Sequence, residues 1–105
     1  MKSVRLTRQA GEDLATAVEF YDLQEPGAGD LLFNAVFRQL RRLERLHGFH
    51  GKRHGFHKVL VKDFPHAIYY DILDRNEVIV VAILDGRRAP SSIREEIRTR
   101  KRDQA

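Results

Sequence analysis

The chain is predicted to be an α+β domain. It has an N-terminal strand, then an antiparallel two-helix hairpin packed on a mainly antiparallel four-stranded sheet, and last a short C-terminal helix. Three observations lead there. Apolar residues recur at helical spacing between Ala10 and Leu46. The pattern then changes to runs rich in β-branched and aromatic residues between Phe56 and Leu84. Runs of helix followed by runs of strand place the helices together on one side of an antiparallel sheet.

Lys2 to Leu6 alternates, with Val4 and Leu6 on one side of a short strand. Thr7 is a suitable N-cap for a helix running to about Leu23. Ala10, Leu14, Ala17, Val18 and Tyr21 form its buried stripe. Pro26-Gly27-Ala28-Gly29 breaks the chain. Asp30 is expected to cap a second helix, with Phe33, Val36, Phe37, Leu40, Leu43 and Leu46 inward and Arg38, Arg41, Arg42 and Arg45 outward. A short Gly/Pro connection makes the two helices an antiparallel hairpin.

Phe56 to Val61, Ala67 to Leu73 and Glu77 to Leu84 read as strands, and Asp74-Arg75-Asn76 is a connection of hairpin length. Val78 to Leu84 is apolar on both faces, as a central strand covered on both sides requires. Asp85 to Pro90 is a loop in which Gly86 is read as supplying an unusual backbone angle. Ser92 and Glu95 stand at capping-box spacing for the last helix. Ile93 and Ile97 are its only substantial apolar anchors, so the helix is expected to fray beyond Arg98 and to be displaceable by a partner.

The 105 residues suit one domain, 1–105, with one modest core. An apolar content of 42% fits a folded chain, and 32% charged residues fit a water-facing surface. There is no cysteine, which excludes a disulfide framework and thiolate chemistry. No apolar run approaches the ~20 residues of a membrane span, and Met1 to Ala10 has no apolar signal core, so the expectation is a cytoplasmic protein with no membrane partner. The net charge of +4 favours polyanionic or acidic partners. Its distribution is uneven, with basic residues concentrated over Arg38–Arg45 and Arg87–Arg102.

His47-Gly48-Phe49-His50 recurs as His54-Gly55-Phe56-His57. Four imidazoles in this space suggest zinc or nickel. With no cysteine near, and Asp63 the only close carboxylate after Glu44, a glycine-rich connection that carries histidines is the stronger reading. No metal and no other cofactor is expected.

The segments "DLATAVEFYDLQEPGAGDLLFNAV", "KVLVKDFPHAIYYDI" and "VVAILDGRRAPSSI" carry a family resemblance. They hold the pair Phe20-Tyr21, a Gly-containing loop, Phe64-Pro65 before Ile68-Tyr69-Tyr70, and a final turn with Arg87, Arg88 and Pro90. In this order and length, the chain resembles the RelE/ParE superfamily of bacterial type II toxin–antitoxin toxins over nearly its whole extent. On structural grounds alone, Phe20, Tyr21 and Tyr70 are expected in the core, and Pro65 at a strand start.

The resemblance implies one of two activities. RelE-like toxins cleave mRNA in the ribosomal A site; ParE-like toxins bind DNA gyrase with no known catalytic centre. Metal-free RNA cleavage needs a base for the 2′-hydroxyl, cations for the phosphorane and an acid for the leaving oxygen. If the chain is a nuclease, Arg53, Lys58, Lys62, Arg87 and Arg88 are the catalytic candidates. Lys58 and Lys62 would share a strand face, with His57 on the other. The acid is missing: Ala89, Pro90, Ser91, Ser92 and Ile93 follow Arg88, and Asp85 stands before Gly86 where relatives often carry His. The reading is therefore ParE-like, with gyrase as target and roles in plasmid stabilization and growth inhibition. A ribosome- and mRNA-directed nuclease is the alternative, and a non-toxic binding module a further one. The partner implied is a cognate antitoxin with an acidic C-terminal segment. Arg87, Arg88, Ile93 and Ile97 are the expected contacts for antitoxin or target. A homodimer or a toxin–antitoxin hetero-oligomer is compatible with this.

Overall fold

The structure is a computed structural model and describes residues 2–74 and 76–104. The elements are β1 (Ser3–Leu6), α1 (Arg8–Gln24), α2 (Ala28–Leu43), β2 (Lys52–Arg53), β3 (Phe56–Leu60), β4 (His66–Ile72), β5 (Glu77–Asp85) and α3 (Pro90–Gln104). The α+β reading holds. The sheet runs β1-β5-β4-β3-β2, with β1 parallel to β5 and the other pairs antiparallel. Its fifth strand, β2, is only two residues long, too short to leave a periodic signal in the sequence. The turn Asp74–Asn76 includes Arg75, which lies outside the described residues. Beside it Asn76 N–H donates to Asp74 Oδ1 at 2.7 Å.

Thr7 caps α1 as expected, its Oγ1 accepting from Ala10 N at 3.1 Å. The second helix differs from expectation at its start and in its inward face. It begins at Ala28 behind Gly27, whose φ of 92° lets the chain turn directly into the helix. Asp30 therefore sits in the first turn instead of capping it, where its charge suits the helix dipole. The buried residues are Gly29, Leu32, Ala35, Val36 and Leu43. Phe33 and Phe37 lie on the flank, 44% and 49% exposed, stacked with their centroids 6.2 Å apart. Close approach of the helices sets this rotation. Gly29 N–H donates to Asp22 Oδ1 at 2.7 Å, and a Cβ there would stand 2.5 Å from the Val18 carbonyl oxygen.

Two cores cover the two faces of the sheet. On the hairpin side Leu32, Val36 and Leu43 meet Val59, Ile68, Tyr70, Val78, Val80 and Ile83. On the other side α3 lays Ile93 and Ile97 over Phe56, Tyr69, Ile79, Val81 and Leu84. β5 serves both faces because its parity changes midway. Tyr69 pairs with Ala82 and Tyr70 with Val80, so Val81 is the extra residue of a β-bulge. Before the bulge even-numbered residues face the hairpin; after it Ile83 does.

Three sequence expectations need correction here. Phe20 is 52% exposed, whereas Tyr21 packs inward against Phe64 and His66. Gly86 has no positive φ; it is needed because a Cβ would come within 2.8 Å of the Pro65 carbonyl oxygen, to which its N–H donates. The last helix starts at Pro90, not after Ser92, because proline's fixed φ suits the first helical position. Ser92 Oγ instead accepts from Arg88 Nη2 at 2.8 Å.

Beyond Arg98 the helix continues, held by Arg100, which is 7% exposed. Pairing of β1 with β5 ends at Leu6 and Val80. Past that point Arg100 Nη1 donates to the Val81 carbonyl, and Ile83 N–H donates to Asp13 Oδ2. Arg100 Nη2 closes the set on Asp13 Oδ1 at 2.8 Å. A side-chain ion pair thus satisfies the backbone edge that a longer β1 would have covered. The Arg100 pKa rises, chiefly through its hydrogen bond to Asp13.

Candidate functional site

The α3 face of the sheet holds a groove of about 420 Å³ between α3 and the β2–β3 turn. Arg53 and Phe56 are paired across that turn, leaving His54 and Gly55 as its two central residues with φ of 57° and 91°. This is the tight hairpin geometry that glycine and a tolerant polar residue permit. It lifts Arg53 and His54 to one wall. Lys58 rises from β3 beside them, with Nζ 6.0 Å from the Tyr69 ring centroid. Arg88 from the last turn and Arg94 from α3 form the opposite wall.

No carboxylate lines this groove among the described residues. Arg53, Lys58 and Arg94 make no ion pair among the described residues, while Arg88 has Glu96 at 3.9 Å. The electrostatics register the crowding. The His54 pKa falls below 6.5 through partial desolvation first, then the charges of Arg53, Arg94 and Lys58. Burial raises the Tyr69 pKa, so its hydroxyl stays protonated at neutral pH.

Of the residues singled out from the sequence, the structure brings together Arg53, Lys58 and Arg88. Lys62 does not line the groove: β3 ends at Leu60, and Lys62 enters a turn in which Asp63 has φ of 69°. Arg87 points to Asp85, with Nη2 2.7 Å from Oδ2. That hydrogen bond is the main reason the Asp85 pKa drops to about 2. Ile93 and Ile97 are buried in the second core, so they meet a partner only if α3 lifts.

His54, Tyr69 and Arg94 join the groove unannounced. Their one available signal was the His-Gly pair, which marks a turn once a strand is recognised on each side. His47, His50 and His57 make hydrogen bonds in the connection from α2 to β3. Tyr70 hydroxyl accepts from Gly48 N–H at 2.9 Å and lies 2.7 Å from His50 Nδ1. His57 Nδ1 meets the His50 carbonyl at 2.6 Å, and its ring stacks on Tyr70 on the hairpin side. His47 Nδ1 meets the Leu43 carbonyl at 3.0 Å. Among the described residues no three His, Cys, Asp or Glu side chains are grouped to hold a metal ion.

Two further concavities lie on the hairpin side. One, about 430 Å³, runs between α1 and the C-terminal end of β5, past Tyr21, Asp13, Asp85 and Arg100. His66 lines it, 3% exposed, with Nδ1 buried and unpartnered. Desolvation lowers the His66 pKa. The other, about 290 Å³, is apolar and lies between β1 and the helices, walled by Val4, Leu6, Leu14, Phe33, Phe37 and Leu40. No helix among the described residues is long and apolar enough to cross a membrane.

No curated protein matches the chain. Among solved structures, the chromosomal ParDE TA system from P. aeruginosa has a similar fold, with a TM-score of 0.69. The identity is 18%, over 79% of this chain and 94% of that one, so the likeness is one of fold. The family model described as the ParE toxin of the type II toxin–antitoxin system, parDE, matches residues 4–90, from β1 to the first residue of α3. The chain belongs to the ParE toxin family of type II toxin–antitoxin systems.

Proposed function

We propose that this toxin acts by binding DNA gyrase, as the ParE-like toxins it resembles do. The observation that carries this reading is the state of Asp85. Its carboxyl, held at about 2 chiefly by the hydrogen bond from Arg87, is ionised at neutral pH and has no proton to give a leaving group. The turn through Arg87, Arg88 and Pro90 supplies no Tyr or His in its place. Cations without that acid suit a binding surface. The contact is assigned to Arg88 and the exposed basic side of α3, with Arg87 beside them. Purified toxin on a sensor surface should bind purified gyrase, and an Arg88→Glu variant should bind at least tenfold more weakly. No binding at micromolar gyrase would remove the reading.

One observation favours the ribosome-dependent nuclease. His54, neutral at pH 7 because its pKa is lowered, shares the groove with Arg53, Lys58 and Arg88. A neutral imidazole among cations is a chemically competent base for a 2′-hydroxyl. Codon-phased mRNA cleavage lost in His54→Ala would favour this reading over gyrase.

Membership of the family implies a cognate antitoxin as partner. The apolar groove beside Phe33 and Phe37 is its docking site in this reading. It offers two half-exposed aromatics in a concavity, the form that binding hot spots take. Arg41 and Glu44 at its rim would fix the register of an amphipathic segment.

A further inference from the structure

We infer that the groove between α3 and the β2–β3 turn is a sequence-independent site for the phosphate backbone of double-stranded DNA. Four permanent cations converge on it from three separate parts of the chain: Arg53 and Lys58 on the sheet wall, Arg88 in the last turn and Arg94 on α3. Like charges gathered without carboxylates repel one another, and an arrangement of this kind is relieved by a polyanion. Several basic side chains elsewhere stand against acids, Arg5 with Glu77, Arg41 with Glu44, Arg87 with Asp85, Arg98 with Glu95 and Arg100 with Asp13, whereas no carboxylate lines this groove among the described residues.

The kind of polyanion follows from what else lines the groove. Single-stranded DNA or RNA is held by cations together with exposed aromatic rings on which bases stack. Here the aromatics are sealed: Tyr69 is 2% exposed and Phe56 3%. Among the described residues the imidazole of His54 is the one exposed aromatic ring of the groove, where a single strand uses a succession of rings, so the cations and their hold on phosphates dominate. An acidic peptide that folds on binding gains much of its affinity from burying apolar anchors. Of the apolar members of this wall among the described residues, Tyr69 and Ile93 are already buried and only the small ring of Pro90 is exposed, whereas Phe33 and Phe37 offer large anchors on the opposite side of the sheet. The two surfaces are therefore divided by chemistry. The hairpin side suits a protein segment, and the α3 side suits the backbone of a duplex, one strand of phosphates lying between the two cationic walls.

For its purpose in the cell this inference rests on the gyrase reading: gyrase holds duplex DNA, and a toxin seated on it would touch that DNA as well as protein. The binding itself is measured without gyrase, so the two can fail separately. Fluorescence anisotropy of the whole purified toxin with a dye-labelled 20-base-pair duplex, over a range of salt concentrations, is the experiment. Four phosphate contacts predict a slope of log affinity against log salt of about −3.6. Arg53→Gln, Lys58→Gln and Arg94→Gln should each flatten the slope by about 1 and weaken binding alike on unrelated sequences. Lys62→Gln, the same change of charge outside the groove, should leave the slope as it was. Circular dichroism checks that each variant is folded, and the three groove variants alter different elements, so loss of one fold leaves two tests. Three results would overturn the inference: no duplex binding at 50 mM salt, equal slopes for groove and Lys62 variants, or groove-dependent binding tighter to single-stranded RNA or poly-glutamate than to the duplex. Duplex binding with no effect on gyrase would sink the gyrase reading and leave the site standing.

Discussion

Asp13 on α1 and Arg100 on α3 lie 87 positions apart and form one buried ion pair that also closes the open edge of β5. Their side chains are only 14% and 8% exposed. Removing Arg100 leaves Asp13 as an unpaired charge out of water and the Val81 carbonyl without its donor; removing Asp13 leaves Arg100 with Glu96 as its acid, 3.1 Å from its Nε, and strands the Ile83 N–H. Arg100→Ala should cost about 3–5 kcal/mol in urea unfolding, and Asp13→Ala less, because Glu96 still faces the guanidinium. The double variant should cost much less than the sum, since no charge is then left alone. Additive losses would mean that the pair does not act as a unit. The same lock makes α3 an ordered part of the free toxin, so amide exchange at Ile97 and Arg100 should be slow in the wild type and fast in Asp13→Ala.

Gly29→Ala tests the helical hairpin. An added Cβ meets the Val18 carbonyl oxygen at 2.5 Å, and a backbone atom cannot rotate away. Overpacking of this kind costs about 1–3 kcal/mol. It outweighs the ~1 kcal/mol of helix propensity that alanine brings. A lowered melting temperature is expected, and an unchanged or raised one would show that the helices can part without loss.

His66 gives stability a pH dependence of defined sign. Tyr21, Asp85 and Arg87 are the ionisable groups that face it; burial lowers its pKa most, Arg87 adds to the lowering, and Asp85 opposes it. The unfolded chain therefore takes up the proton first. The contribution is fully present above pH 6.5 and is lost as pH falls below it toward the depressed folded value. His66→Phe should reduce the fall in urea midpoint between pH 7 and 5; His50 and His54, shifted the same way, account for the remainder. Asp85 acts in a lower window. Its stabilisation holds above about 3.8 and disappears as pH drops through about 2. Equal midpoint shifts in wild type and His66→Phe would exclude the histidine.

Phe33→Ala and Phe37→Ala separate folding from partner binding. Both rings are about half exposed, so truncation should cost the free toxin on the order of 1 kcal/mol. At a docking site each should weaken antitoxin binding by about 2 kcal/mol or more, measured by calorimetry. Unchanged antitoxin affinity in the double variant would move the interface elsewhere.

The elements with strong periodicity were legible in the sequence. Thr7 as a cap, the hairpin of helices and a central strand apolar on both faces all stand as read. What escaped depends on contacts between distant residues. Phe33 and Phe37 fit a helical stripe as well as Leu32 does, and only the approach at Gly29 decides which face turns inward. The parity change at Val81 appears in the pairing of two strands, not in either alone. Arg100 sits in a run so basic that a solvated, fraying end was the natural expectation; its partner is on another helix. At the site, Arg53, Lys58 and Arg88 were recognisable as cations, but His54 and Arg94 reach the groove through a two-residue strand and a helix start that local rules misplaced.

The central claim is that this ParE-family toxin acts on gyrase and does not cut RNA. The most direct measurement adds purified toxin to a gyrase supercoiling reaction and, in parallel, to translating ribosomes whose mRNA ends are mapped. The account predicts inhibited supercoiling with intact mRNA, and recovery of supercoiling for Arg88→Glu. Unimpaired supercoiling together with codon-phased cleavage, abolished by Lys58→Ala or Arg88→Ala, would contradict it.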